Sequence, residues 1–140
     1  MCKIIAIVNQ KGGVGKTTTA ISLAVALSKQ NSKVLLVDFD SQASMTIALG
    51  TSCPGDIENS VAALMLSVME EEPINTAEFT LKSNGIDYIA SNRALSGMEV
   101  QLMNELGREY ILKRSLEHFK ASYDYIIIDC MPGLGIMFIN

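Results

Sequence analysis

The chain has 140 residues, of which 49% are apolar and 19% charged, so it can bury a core and lacks the make-up of a disordered segment. With 15 acidic against 11 basic residues the net charge is −4, which argues against a broad nucleic-acid-binding surface but not against a local basic patch. Cys2, Cys53 and Cys130 form no CxxC pair, and their odd number and irregular spacing suit a reducing cytosol. His118 is the single histidine, which speaks against a His-based metal site.

In chain order, Lys3 to Val8 is a short β-branched apolar run of the kind buried in parallel sheets. Met1-Cys2-Lys3 leads straight into it without signal-peptide architecture, and no run of about 18 apolar residues follows anywhere, so a soluble, cytoplasmic protein with no membrane association is expected. Asn9 to Gly15 is a glycine-rich turn, and Lys16 to Lys29 reads as a helix. A second strand covers Lys33 to Val37 and ends at Asp38. Asp40 to Ser44 is a polar loop, and Ala43 to Leu49 suits a short helix. Pro54-Gly55 marks a turn before a helix over Ile57 to Glu71, with Val61, Leu64, Met65 and Val68 on one side.

Pro73 to Ser83 gives no decisive pattern, and Gly85 breaks the chain before a third strand at Ile86 to Ala90. Arg93 to Leu106 and Arg108 to Lys120 both read as helices, with Gly107 as hinge or cap. Met65, Met69, Met98 and Met103 fit helix-packing positions, and His118 falls near a solvated helix end. Tyr125 to Ile128 is a fourth strand, followed by Asp129, the small packed residue Cys130 and a loop with Pro132, Gly133 and Gly135. Strands alternating with helices predict a parallel α/β sheet with right-handed crossovers. Ligands of such sheets bind beyond the carboxyl ends of the strands, where the glycine turn, Asp38, Asp40 and Asp129 all fall.

The segment Asn9-Gln10-Lys11-Gly12-Gly13-Val14-Gly15-Lys16-Thr17-Thr18-Thr19 follows a strand and opens a helix, which is the context of a phosphate-binding loop. Glycines let successive N–H groups face an anion, and the helix N-terminus adds a dipole and unpaired donors. Lys16 can reach the β- and γ-phosphates of a nucleotide, Thr17 can ligate Mg²⁺ and Thr18 can donate to the α-phosphate. The strict pattern G-x-x-x-x-G-K-[ST] is not met, because Gln10 stands where its first glycine belongs. A second lysine, Lys11, sits early in the loop instead. Asp129 ends an apolar strand, where an unpaired acid is costly unless bonded or metal-linked. Without the loop, Asp38 and Asp40 would read as loop carboxylates or helix caps.

Lys11-Gly12-Gly13-Val14-Gly15-Lys16-Thr17-Thr18 resembles the deviant Walker A loop of the ParA/MinD ATPases. Val37-Asp38-Phe39-Asp40-Ser41-Gln42 is similar to the ParA switch segment D-x-D-P-Q, and Ile126 to Gly135 is similar to the ParA Walker B segment I-I-D-C-P-P-S-L-G. Ser41, Met131 and Gly133 depart from those patterns. The resemblance runs through the whole chain and implies a three-layer α/β/α P-loop NTPase fold, residues 1–140 being the N-terminal part of a single ParA-like domain truncated after the Walker B strand. It further implies a Mg²⁺-dependent ATPase that switches between states in plasmid, chromosome or mobile-element partition.

On the same ground, Lys11 would reach across a nucleotide-dependent homodimer, Asp40 would place the attacking water, and Asp38 and Asp129 would hold Mg²⁺ through water. A ParB-like partner would stimulate hydrolysis. The adenine-recognition loop and the DNA-binding surface of the family would lie beyond the residues present. Strand one would then be an open, aggregation-prone edge, and the segment from Gly135 to Asn140 would lack its usual packing partners. The competing readings are a hydrolysis-deficient nucleotide-binding fragment and a MinD-like positioning ATPase. The latter is weakened because no basic amphipathic C-terminal helix is visible. A metabolic P-loop enzyme acting on a small-molecule acceptor has no support in the sequence.

Overall fold

Alternation of side chains along two strands explains the architecture. The computed structural model describes residues 1–103 and 105–132, with strands β1 (Lys3–Ile7), β2 (Val34–Phe39), β3 (Leu81–Ser83), β4 (Ile86–Ile89) and β5 (Tyr125–Cys130). They form one sheet in the order β1-β5-β2-β4-β3. The helices are α1 (Lys16–Ser28), α2 (Ser44–Ala48), α3 (Val61–Met69), α4 (Thr76–Phe79), α5 (Met98–Leu102) and α6 (Ile111–Glu117). On one face Leu35, Val37, Phe39, Ile126 and Ile128 pack with Leu64 and Met65 of α3 and Leu112 and Leu116 of α6. On the other, Val34, Leu36 and Ile127 pack with Met45 of α2 and with Ala20 and Ala24, one turn apart on α1. With period 2, Asp38 and Asp129 fall on the α1 side, in register as neighbours on β2 and β5.

The sheet is parallel except at one edge. There β3 pairs antiparallel with β4 through Asn84 and Gly85, whose φ angles of 49° and 79° make a tight hairpin turn. Residues 81–83, which the sequence left undecided, are therefore a strand, and Gly85 closes a turn rather than only breaking the chain. The predicted helices are also shorter than expected. Ser60 caps α3 through the Ala63 amide, so that helix starts at Val61. Residues 93–97 are 3₁₀, with the Asn92 side chain capping Ala94 N–H, before α5 begins. Gly107, at φ 71°, opens a 3₁₀ turn at Arg108–Tyr110 that leads into α6. Met65 and Met98 are buried as expected, whereas Met103 is 61% exposed, because α5 ends before it. The expectations for Gly133 and for residues 135–140 lie outside the described residues.

β1 is an edge strand, bonded only to β5 among the described residues. Ile4 is 39% exposed and Val8 just beyond the strand 48% exposed. A free apolar edge templates pairing with another chain, and a lysine there opposes it. Size-exclusion over rising concentration is expected to show self-association of the chain, relieved in Ile4→Lys. A wild-type chain that stays monomeric at every concentration would show that this edge does not associate.

Candidate phosphate-binding site

β1 delivers the chain to the carboxyl edge of the sheet, where the glycine loop turns it into α1. Gly13 and Gly15 have φ of 68° and 90°, which bulkier residues adopt only at a cost. Gly15 is the N-cap of α1 and supplies no side-chain cap, and no acidic residue stands in the first turn. The amides at this end therefore have no side-chain acceptor among the described residues and carry the positive end of the helix dipole. They border a cavity of about 400 Å³, lined by the loop glycines, Lys16, Thr17 and Thr18, and across from these by Asp40, Ser44, Asp129, Cys130 and Pro132.

Lys16 folds back over the loop, its Nζ donating to the Lys11 carbonyl at 3.1 Å. Lys11 fixes its own backbone through an N–H bond to Asn9 Oδ1 at 2.9 Å, and its ammonium group is exposed, with no partner among the described residues. Thr17 Oγ1 donates to Asp129 Oδ2 at 2.6 Å, which joins α1 to the end of β5. The other carboxylate oxygen, Asp129 Oδ1, is buried without a protein partner among the described residues. Burial raises the Asp129 pKa, with the Asp40 charge adding to the rise and the Thr17 hydroxyl and Lys16 working against it. An orphaned oxygen on a buried carboxylate is costly unless a cation or its water shell takes it up. Among the described residues no three His, Cys, Asp or Glu side chains cluster to hold a metal. Thr17 and Asp129 thus suit an ion that keeps most of its ligands as water, which is how Mg²⁺ is commonly bound.

The two acids of the switch segment go different ways. Asp40 reaches the cavity, with Oδ1 accepting the Gln42 amide at 3.0 Å. Asp38, expected from the resemblance to hold Mg²⁺ through water, has its carboxylate bonded inside the protein. The side chain is fully buried and turned towards α2, where Oδ2 accepts the Thr46 amide at 2.8 Å and the Thr46 hydroxyl at 2.7 Å. Asp38 is not among the residues lining the cavity, because α2 folds over it and saturates that oxygen. Burial pushes its pKa up to about 6, against the Thr46 bonds and with help from the Asp129 charge. The Cys130 thiol is pushed up to about 11, first by burial and then by Asp129, which leaves an inert packed thiol. Ser44 in the cavity wall and Thr46 behind it carry no signal in the sequence, since both depend on how α2 docks.

A glycine loop with uncapped amides, an adjoining lysine and a hydroxyl–carboxylate pair across from it define a phosphate-loop protein of the α/β type. Residues 2–140 match the AAA domain family, and the chain belongs to it, within the ParA/Soj type. It is 44% identical over 140 residues, its full length, to the sporulation initiation inhibitor protein Soj of Bacillus subtilis, covering 54% of that protein. A crystal structure of cobyrinic acid a,c-diamide synthase from Mycobacterium smegmatis with bound ADP and magnesium superposes with a TM-score of 0.91 at 38% identity, over 100% of this chain and 55% of that one. A plasmid partition protein of Borrelia burgdorferi bound to AMPPNP superposes at 0.81 and 33% identity, over 99% and 57%. The chain spans about half the length of the relatives it matches.

The raised Asp38 pKa has a consequence for stability. A folded state that holds this proton more tightly than the unfolded chain gains stability at low pH and loses it as pH rises through the folded value of about 6. Across pH 4 to 6 the wild type should lose on the order of 2 kcal/mol relative to Asp38→Asn. Parallel denaturant titrations of the two proteins check this, and equal pH profiles would refute it.

Proposed function

We propose that the chain binds Mg²⁺-ATP at the glycine loop and acts, as the N-terminal part of one ParA-like domain, in an ATP-hydrolysing switch for partition of a plasmid, chromosome or mobile element. The observation that carries the reading is the Thr17–Asp129 pair with its orphaned buried oxygen, set beside a loop of uncapped amides. Gly12, Gly13, Val14 and Gly15 present backbone N–H groups to the phosphates, and Thr18 adds a hydroxyl. Lys16, already held over the loop, exchanges its bond to the Lys11 carbonyl for phosphate oxygens. Thr17 would hold the ion directly and Asp129 through water. When bound, Mg²⁺ neutralises charge on the transferring phosphoryl group.

Asp40 keeps one oxygen on Gln42 N–H and has the other without a described partner, which suits it to orienting a water. The free ammonium group of Lys11 supports a role in trans, on the phosphates of a second copy in a nucleotide-dependent homodimer. A ParB-like stimulator and DNA as cargo belong to the same proposal, which is supported by relatives named as chromosome-partitioning and plasmid-partition proteins. No described helix is long and apolar enough to cross a membrane.

A metabolic reading has one observation in its favour, the superposition on the synthase. That likeness extends to 38% sequence identity, and what favours the partition reading is that the segments 37–42 and 126–135 are similar to the ParA pattern. Phosphate release without any small-molecule acceptor separates the two. A chain that binds nucleotide without release in any condition would be the hydrolysis-deficient fragment.

Calorimetry with Mg²⁺-ATP should show Lys16→Ala losing on the order of 1.5–3 kcal/mol of binding, as for a hydrogen bond to a charged group. Equal affinities for the two proteins would place the nucleotide elsewhere. Lys11→Ala should keep the monomer's affinity and reduce ATP-dependent dimers in light scattering. Unchanged dimers would remove the trans role.

A further inference from the structure

Three segments of the chain meet at one hydroxyl behind the cavity. Thr46 is fully buried in α2. Its Oγ1 donates to Asp38 Oδ2, at the end of β2, at 2.7 Å. The same oxygen accepts Ser91 N–H at 3.0 Å, just past the end of β4. The other oxygen of the carboxylate, Asp38 Oδ1, accepts the Asp40 amide at 3.3 Å. The Asp40 carbonyl in turn accepts Ala43 N–H at 2.9 Å. Ala43 itself sits at φ 54°, a left-handed conformation unfavourable for alanine and sustained only by its surroundings.

The path from Thr46 to Asp40 is therefore short, buried at Thr46 and half-buried at Asp40: hydroxyl, carboxylate, amide. We propose that Thr46 is a positioning residue for Asp40, its hydroxyl locking the Asp38 carboxylate in the orientation that fixes the Asp40 backbone beside the phosphate cavity. The inference rests on the reading of Asp40 as the residue that orients water. The hydroxyl is required because it both donates to Asp38 and accepts from Ser91. A valine of the same shape would do neither, leaving the Ser91 amide without its acceptor and Asp38 Oδ2 with only the Thr46 amide. Ser91 takes part through its amide alone, since its own hydroxyl is buried without a partner among the described residues.

The test compares Thr46→Val and Thr46→Ser with the wild-type chain by NMR amide exchange, Mg²⁺-ATP calorimetry and single-turnover phosphate release. In Thr46→Val the Asp40 amide should exchange about tenfold faster or more while Leu36 and Ile127 are unchanged, a loosening expected from a lost buried bond. Nucleotide affinity should stay within about twofold while phosphate release slows about tenfold, the signature of an interaction made for the transition state. Thr46→Ser, which keeps the hydroxyl, should behave as wild type in all three. Faster Asp40 exchange in Thr46→Ser would show that the methyl group does the holding, and would overturn the proposal even if the valine variant fails to fold. Unchanged Asp40 exchange in Thr46→Val, or a uniform rise at every amide, would overturn it too. A wild-type chain that neither binds nor cleaves ATP would strike the functional reading alone, and the exchange comparison would still decide the role of Thr46.

Discussion

The site depends on two carboxylates that neighbouring parallel strands bring side by side. Asp38 and Asp129 are in register on β2 and β5, on the same face, at the edge where ligands of parallel sheets bind. Burial raises the cost of ionising both, the Asp129 charge adds to that of Asp38 and the Asp40 charge to that of Asp129, and the fold gives each a different remedy. Asp38 is turned to an internal amide and hydroxyl on Thr46. Asp129 receives one hydroxyl, from Thr17, and keeps one oxygen bare. The first carboxylate has internal partners, whereas the second has one buried oxygen without a partner among the described residues.

That division organises the surrounding elements. Gly15 must cap α1 for Thr17 to reach Asp129, and the small residues Ala20 and Ala24 let the helix lie close on the sheet below. α2 must fold back over β2 for Thr46 to reach Asp38, which the left-handed Ala43 makes possible. The glycine loop and the switch segment thus face each other across the cavity because each is tied to its own carboxylate. The apolar layer on the opposite face, with α3, α5 and α6, supports the central strands and, among the described residues, meets the cavity wall at Cys130.

The sheet order also explains why the membership in a family of longer proteins matters physically. β2 and β5 are covered on both faces and paired on both edges, whereas β1, which carries the phosphate loop, is paired on one. The strand that carries the phosphate loop is thus one of the two edges of the sheet in the described structure, β3 being the other. The chain spans about half of its relatives, and their solved structures share this half of the fold closely.

The amino-acid sequence alone determined the phosphate loop, because glycines, a lysine and threonines at fixed spacing between a strand and a helix leave few other uses for the residues. It also determined the α/β class and the position of the acids at strand ends, since short apolar runs and their polar stops are local features. Only the tertiary structure decided how the two acids differ. Asp38 and Asp129 look alike in sequence, each closing an apolar run. Their separation comes from α2 covering one and α1 reaching the other, contacts across 8 and 112 residues of chain. The hairpin at β3 and β4 and the early ends of the helices were equally hidden, because a three-residue edge strand and 3₁₀ turns carry little periodicity and are settled by packing and capping.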